Sequence, residues 1–289
     1  MSDVVVSRIA ELFGYSTNQK GIDWQKIVSE QKCPFLGKKC YKVRKSDPSI
    51  SIGSCTVLYG NQRNPIIICP TRFTADNKVF LDCLDLMKPL ESGNELYLIP
   101  EVNIPGGNVD FFLTLSVNGK ILDFVGIETQ ALDTTGTVWP ERQRLLRDLG
   151  VEQDEIGEGE TSSHGINWKM TAKTVLVQMH HKVQTFEHIG KKMVLILQER
   201  LFDYMARQFT FDHLHNPPVD SDSLRFHVYR MSKDPISQSF GIVLSSKWGT
   251  DTAGVARCLG LQVDPRVELQ NITQALEGRL SSALRLTRE

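Results

Sequence analysis

Apolar and polar positions alternate most regularly between Asp110 and Gln130, where two such runs flank Asn118-Gly119. Alternation has the two-residue period of a half-buried strand, and Asn-Gly accepts the left-handed angles of a tight turn, so the pattern predicts an antiparallel hairpin. Ahead of it, residues 94–102 read as a strand, and residues 76–90 carry helical spacing with Val79, Phe80, Cys83, Leu84 and Met87 on one side. Behind it, residues 140–149 read as a helix with proline in the first turn and Gly150 past its end. Asn167 caps a long helix to about His188, and residues 192–198 read as a buried strand. The order of helix, three strands, helix and strand predicts an α/β fold around a mixed sheet.

Toward the N-terminus, Ser2 or Asp3 caps a predicted helix that reaches Leu12 or Phe13 and ends at Gly14, and residues 23–30 form a second. Two short strands at residues 55–59 and 65–69, joined through Gly60-Asn61, read as a small ribbon. Toward the C-terminus, residues 201–208, 250–259 and 266–284 read as helices, and 224–230 and 240–244 as strands.

Hairpin register decides whether the acidic residues have a role. A two-residue loop at Asn118-Gly119 puts Asp110 opposite Ile127 and turns Glu128 to the other face. A three-residue loop with Gly119 left-handed, or a bulge, instead puts Asp110 opposite Glu128, with Gln130 on the same face. Neighbouring carboxylates repel unless a cation lies between them, so this second register suits magnesium and metal-assisted phosphodiester hydrolysis. In the first register they are ordinary surface acids.

At 289 residues, 40% hydrophobic and 23% charged, the chain can bury a large core. Its net charge of -1 gives no overall attraction to nucleic acid, so any such attraction must be local. Lys38, Lys39, Lys42, Arg44 and Lys45 crowd one short segment, Arg142, Arg144 and Arg147 share a predicted helix, and an acidic stretch from Glu152 to Glu160 reads as a solvated loop. No apolar run is long enough to span a bilayer, and the N-terminal stretch, broken by Arg8 and Glu11, does not read as a signal peptide. A cytoplasmic protein is expected.

Six cysteines without a secretory signal argue against a disulfide framework. Four of them, Cys33, Cys40, Cys55 and Cys69, lie in one segment, each beside a turn, and are candidate ligands of a single soft ion, zinc or iron. The basic cluster surrounds Cys40, so a metal-stiffened loop there would carry charge suited to gripping phosphates. Cys83 and Cys258 read as core residues. His180, His181, His188, His213 and His215 have no zinc-helix spacing, and no phosphate-binding loop or nucleophile elbow is present.

The motifs Leu12-Phe-Gly-Tyr15, Cys33-Pro-Phe-Leu36, Gly53-Ser-Cys55, Cys69-Pro-Thr-Arg72, Val109-Asp-Phe111 and Glu128-Thr-Gln-Ala-Leu-Asp133 resemble the NotI type of restriction endonuclease, within the PD-(D/E)xK nuclease superfamily. The resemblance implies a helix, three-strand, helix, strand core and a type II enzyme cutting double-stranded DNA at a specific, palindromic site. Asp110 and Glu128 would hold Mg2+, and Glu101 would be a further acidic residue of the site. Gln130 stands where most of the superfamily has lysine, which leaves no cation there to lower the pKa of the attacking water. Cys33, Cys40, Cys55 and Cys69 would bind a structural zinc or iron. Residues 1–73 would form the metal-ribbon region and residues 74–289 the nuclease domain of a homodimer in the bacterial cytoplasm, with a DNA methyltransferase encoded nearby. The alternatives are a non-catalytic metal-ribbon DNA-binding protein and a repair nuclease that cuts by structure.

Overall fold

The structure, a computed structural model, describes residues 7–151, 164–261 and 273–274. Six strands form the main sheet: β1 (Glu95–Ile104), β2 (Gly107–Val117), β3 (Lys120–Gln130), β4 (Met193–Gln198), β5 (Leu224–Lys233) and β6 (Phe240–Thr250). They lie in sequence order across the sheet, from β1 at one edge to β6 at the other. The first three form an antiparallel meander, β3, β4 and β5 run parallel, and β6 returns antiparallel. Parallel neighbours need a crossover, and two helices supply it between β3 and β4. These are α3 (Trp139–Asp148) and α4 (Trp168–His188); the others are α1 (Trp24–Glu30), α2 (Lys78–Leu81), α5 (Glu199–Gln208) and α6 (Thr252–Cys258).

All six residues of β4 are buried, as expected of a central parallel strand covered on both sides. On one side, Ala172, Val175, Met179, Val183 and Phe186 of α4 belong to the same cluster as Phe112, Leu195, Leu197 and Phe226. On the other, Phe73, Val79, Phe80 and Met87 cover Leu113, Val125, Ile127, Val194 and Ile196. Burying an aliphatic or phenyl side chain of this size contributes about 1.5–3 kcal/mol, so both faces anchor the sheet.

A second, four-stranded antiparallel sheet is built from Tyr15–Ser16, Ile9–Leu12, Ser54–Tyr59 and Asn64–Ile67. It docks at the C-terminal ends of β3 and β4. Leu132 N–H donates to Ile67 O at 3.0 Å, and the Gln198 carboxamide accepts from Ile67 N–H at 3.0 Å while donating to Pro65 O at 2.6 Å.

Three expectations need correction. Ile9–Leu12 is a strand, not the end of a helix, because all four residues are buried and Glu11 turns inward to pair with Arg72 at 2.8 Å. Residues 76–90 hold only the single turn of α2, since Asp76 and Asn77 are left-handed (φ 55°) and Leu84–Leu86 is a separate 3-10 turn. The leading helix of the expected core is therefore reduced to one turn, although its apolar positions still face the sheet. Arg142 is not surface charge but 1% exposed, with its guanidinium donating to Ile52 O at 2.8 Å and to Gln143 Oε1 at 2.7 Å. The acidic stretch and the helix expected at 266–284 lie outside the described residues, apart from 273–274. No helix among the described residues is long and apolar enough to cross a membrane.

Candidate active site

The hairpin closes through Asn118-Gly119, with Val117 opposite Lys120 and both turn residues left-handed at φ 50° and 74°. This two-residue loop gives the register that would separate the acids. Beyond Ser116↔Ile121, however, the pairing shifts to Leu115↔Asp123, so Leu122 is an extra residue and the strand carries a bulge. From there the shifted register runs to Phe111↔Ile127, and one step further Asp110 stands beside Glu128. The backbone N–H of Asp110 donates to Glu128 Oε1 at 3.3 Å, and Asp110 Oδ2 accepts from the N–H and hydroxyl of Thr129 at 2.9 Å each. The correction thus lies in the strand, with the turn left at two residues.

β1 lies on the other side of Asp110. Val109 pairs with Val102 and Phe111 with Pro100, which sets Glu101 across from Asp110. The register therefore aligns Glu101, Asp110 and Glu128 over three neighbouring strands. Glu101 is exposed and its backbone is left-handed at φ 54°, off the regular pleat.

What covers Glu128 is α4. Side chains on one face of a strand recur about every 6.6 Å, and residues four apart on a helix recur about every 6 Å, so two such pairs can meet in step. Gly126 lies under Phe186, where a Cβ would come within 2.2 Å of the ring, and Glu128 meets Lys182, one helical turn earlier. Lys182 Nζ is 2.6 Å from Glu128 Oε1, and both residues are under 10% exposed. The turn joining β1 and β2 is fastened to the same stretch of helix. Thr185 donates to Pro105 O at 2.6 Å, and a Cβ on Gly106 (φ 102°) would sit 2.7 Å from His181 O. Only glycine permits that approach.

Burial pushes the Glu128 carboxyl up to about 7, with the neighbouring Asp110 adding to the rise and Lys182 opposing it. Even with its lysine, the pair of acids is short of positive charge. A site of two adjacent carboxylates fits magnesium, which commonly takes one or two protein carboxylates and fills its shell with water and phosphate oxygens. Gln130 follows Glu128 on the same face, and its Nε2 donates to Ala131 O at 2.6 Å, leaving Oε1 as an acceptor.

Lys182 was missed by the sequence reading, which left the site without a cation. Its signal was a charged residue at an apolar stripe position: Ala172, Val175, Met179 and Phe186 continue the spacing on either side of it.

The four clustered cysteines are buried and, like all six, unpaired by disulfides. Burial raises the thiols of Cys33, Cys40 and Cys55, and Cys69 raises all three further. Opposing this, backbone N–H groups of Phe35 and Leu36 point to Cys33, those of Lys42 and Gly53 to Cys40, and that of Gly14 to Cys55. Such N–H donors favour thiolates, so the donor chemistry fits a soft metal ion. Among the described residues, though, no group of three or more His, Cys, Asp or Glu side chains is arranged to hold a metal.

The basic segment is partly committed to structure: Lys39 donates to Ser49 O at 2.7 Å and Lys42 to Ile68 O at 2.6 Å. Lys38 and Lys45 are exposed, and Arg44 lies 4.5 Å above the Trp139 ring. His213 and His215 are held by Gly254 O at 2.9 Å and Asp222 at 2.8 Å, and Cys83 and Cys258 are buried core residues.

No curated protein matches the chain. A family model described as restriction endonuclease NotI matches residues 21–240, a stretch containing the hairpin, Lys182 and all four clustered cysteines. That match covers most of the 289 residues, and the chain belongs to the NotI restriction endonuclease family.

Proposed function

We propose that this member of a restriction endonuclease family is a type II enzyme, hydrolysing both strands of double-stranded DNA at a specific site in the presence of Mg2+. The observation that carries the reading is the bulge-corrected register that sets Asp110 beside Glu128 under Lys182. Asp110 and Glu128 would hold magnesium, with Glu101 assisting. When bound, the ion supplies a Lewis acid for the scissile phosphate and lowers the pKa of the attacking water. Gln130, tied through its amide nitrogen, orients that water through Oε1. Lys182 steadies Glu128 and offsets the negative charge that develops as the phosphate is attacked. Lys38, Lys39, Lys42 and Lys45 grip the DNA backbone, and Arg44 enters a groove.

Cys33, Cys40, Cys55 and Cys69 would hold a structural zinc or iron, which would stabilise the ribbon within residues 1–73 beside a catalytic part at 74–289. Cutting both strands symmetrically calls for a homodimer on a palindromic site, and for a DNA methyltransferase encoded nearby to protect the host. Plasmid cleavage in magnesium tests the reading. Discrete fragments are expected, structure-dependent nicking would mark a repair nuclease instead, and binding without cleavage would mark a non-catalytic DNA-binding protein.

A further inference from the structure

A cleft of about 780 Å3 opens directly beyond the catalytic strand, between residues 42–46 on one wall and residues 132–139 on the other. Leu132 and Ile68 also line it, beside the backbone bond from Leu132 to Ile67 that joins the two sheets. From Glu128 to Asp133 is five residues, at most about 17 Å of extended chain. At about 3.4 Å per base pair, the cleft is within a few base pairs of whatever phosphate the carboxylates engage. An enzyme that cuts within the sequence it reads makes its base contacts at that range.

We propose that Arg44, held over the Trp139 ring in this cleft, reads a guanine edge of the DNA and so fixes part of the sequence that is cut. The inference rests on the reading of the chain as a site-specific nuclease. Its geometry is that of a preset fork. Trp139 is 5% exposed and has Arg142 stacked 4.8 Å from its ring, and Arg142 is itself pinned to the backbone at Ile52. The platform under Arg44 therefore cannot swing away. The Arg44 guanidinium has no hydrogen bond or close ion pair among the described residues and only shares the field of Asp47. A planar fork with five free donors matches the O6 and N7 acceptors of guanine, and stacking lowers the entropy cost of holding it there.

The cleft also carries groups that a simple phosphate grip would exclude. Asp133 on the facing wall is exposed, beside Thr134 and Thr137, and a carboxylate repels phosphate but accepts from the amino group of cytosine. Donor on one wall and acceptor on the other is the pairing that a guanine-cytosine edge presents.

The test measures sequence preference twice on a randomised DNA library: by sequencing the ends cut in Mg2+, and by sequencing the duplexes retained at equilibrium in Ca2+. The parent chain is compared with Arg44→Ala and with Arg44→Lys, which keeps the charge and loses the fork. Loss of about 10- to 100-fold preference for guanine at one position is expected in Arg44→Ala and a smaller loss in Arg44→Lys, with other positions unchanged. Replacing that guanine by 7-deazaguanine, which lacks the N7 acceptor, should weaken parental binding and leave Arg44→Ala unaffected. A uniform loss across all sequences, restored by Arg44→Lys, would make Arg44 a phosphate contact and overturn the inference. So would a parent that retains no preferred sequence in Ca2+. Sequence-selective retention without cutting in Mg2+ would instead count against the nuclease reading and leave the Arg44 comparison decisive.

Discussion

Lys182 of α4 reaches across to Glu128 of β3 and closes a 2.6 Å ion pair where Gln130 supplies no charge. The cation missing from the strand is delivered by the helix. Replacing Lys182 with methionine leaves Glu128 buried beside Asp110 with nothing to balance it. Cleavage should fall at least tenfold, the midpoint of its pH profile should move to higher pH, and more magnesium should be needed. Lys182→Arg should recover part of the loss. An unmoved pH profile in Lys182→Met would show that the lysine only packs.

The pH dependence follows from Glu128 itself. Its carboxyl is raised to about 7, so protons compete for it throughout the range from 5 to 7. At limiting magnesium the rate should drop about tenfold per pH unit below that midpoint, and raising magnesium should shift the midpoint down. Stability has the opposite sign. Between the unfolded value near 4.3 and the folded value near 7 the folded chain binds the extra proton, so metal-free stability falls as pH rises through that window. Glu128→Gln should remove this slope in denaturant unfolding while abolishing cutting.

Leu122 offers a test of the register. It is the surplus residue of the bulge, and on either side of it the pairings Ser116↔Ile121 and Leu115↔Asp123 become consecutive if it is removed. Deleting Leu122 should therefore give a regular hairpin with Asp110 still beside Glu128, and cleavage within about tenfold of the parent. Complete loss of activity in a folded deletion variant would count against this account of the site.

Glu11 and Arg72 form a buried pair, 1% and 2% exposed, closed by two hydrogen bonds of 2.8 and 3.0 Å and by Thr56. Removing one partner strands the other charge. Arg72→Met should cost about 3–5 kcal/mol in urea unfolding, and Glu11→Gln somewhat less.

For the cysteines, elemental analysis of the purified protein should find about one zinc or iron per chain. Cys69→Ser should lose that metal and lower the melting temperature. A metal-free parent of the same stability would remove the four-thiolate proposal.

Much of the architecture was legible because it is local. Proline and glycine bracket α3, Asn-Gly marks the turn, and five apolar residues in a row mark β4. What failed depended on distant partners. Glu11 looks like an exposed helix residue until Arg72, 61 positions away, neutralises it and lets Ile9–Leu12 enter a sheet. Helical spacing at residues 76–90 gave the buried side correctly, but left-handed Asp76 and Asn77 break the backbone that was expected to present it. The acids of the site could be read from one hairpin, while their countercharge lies 54 residues beyond Glu128.

Because Lys182 is carried by α4 and the carboxylates by the sheet, the positive and negative charges of this site sit on separate bodies. The hairpin's alignment is kept by its own ladder and survives a small displacement of the helix; a 2.6 Å ion pair does not. A slide of α4 by a single residue, about 1.5 Å, would loosen the lysine from Glu128 and pull on the β1–β2 turn that Thr185 holds to the helix. Displacement of this 21-residue helix would thereby alter the balance of charge around the carboxylates.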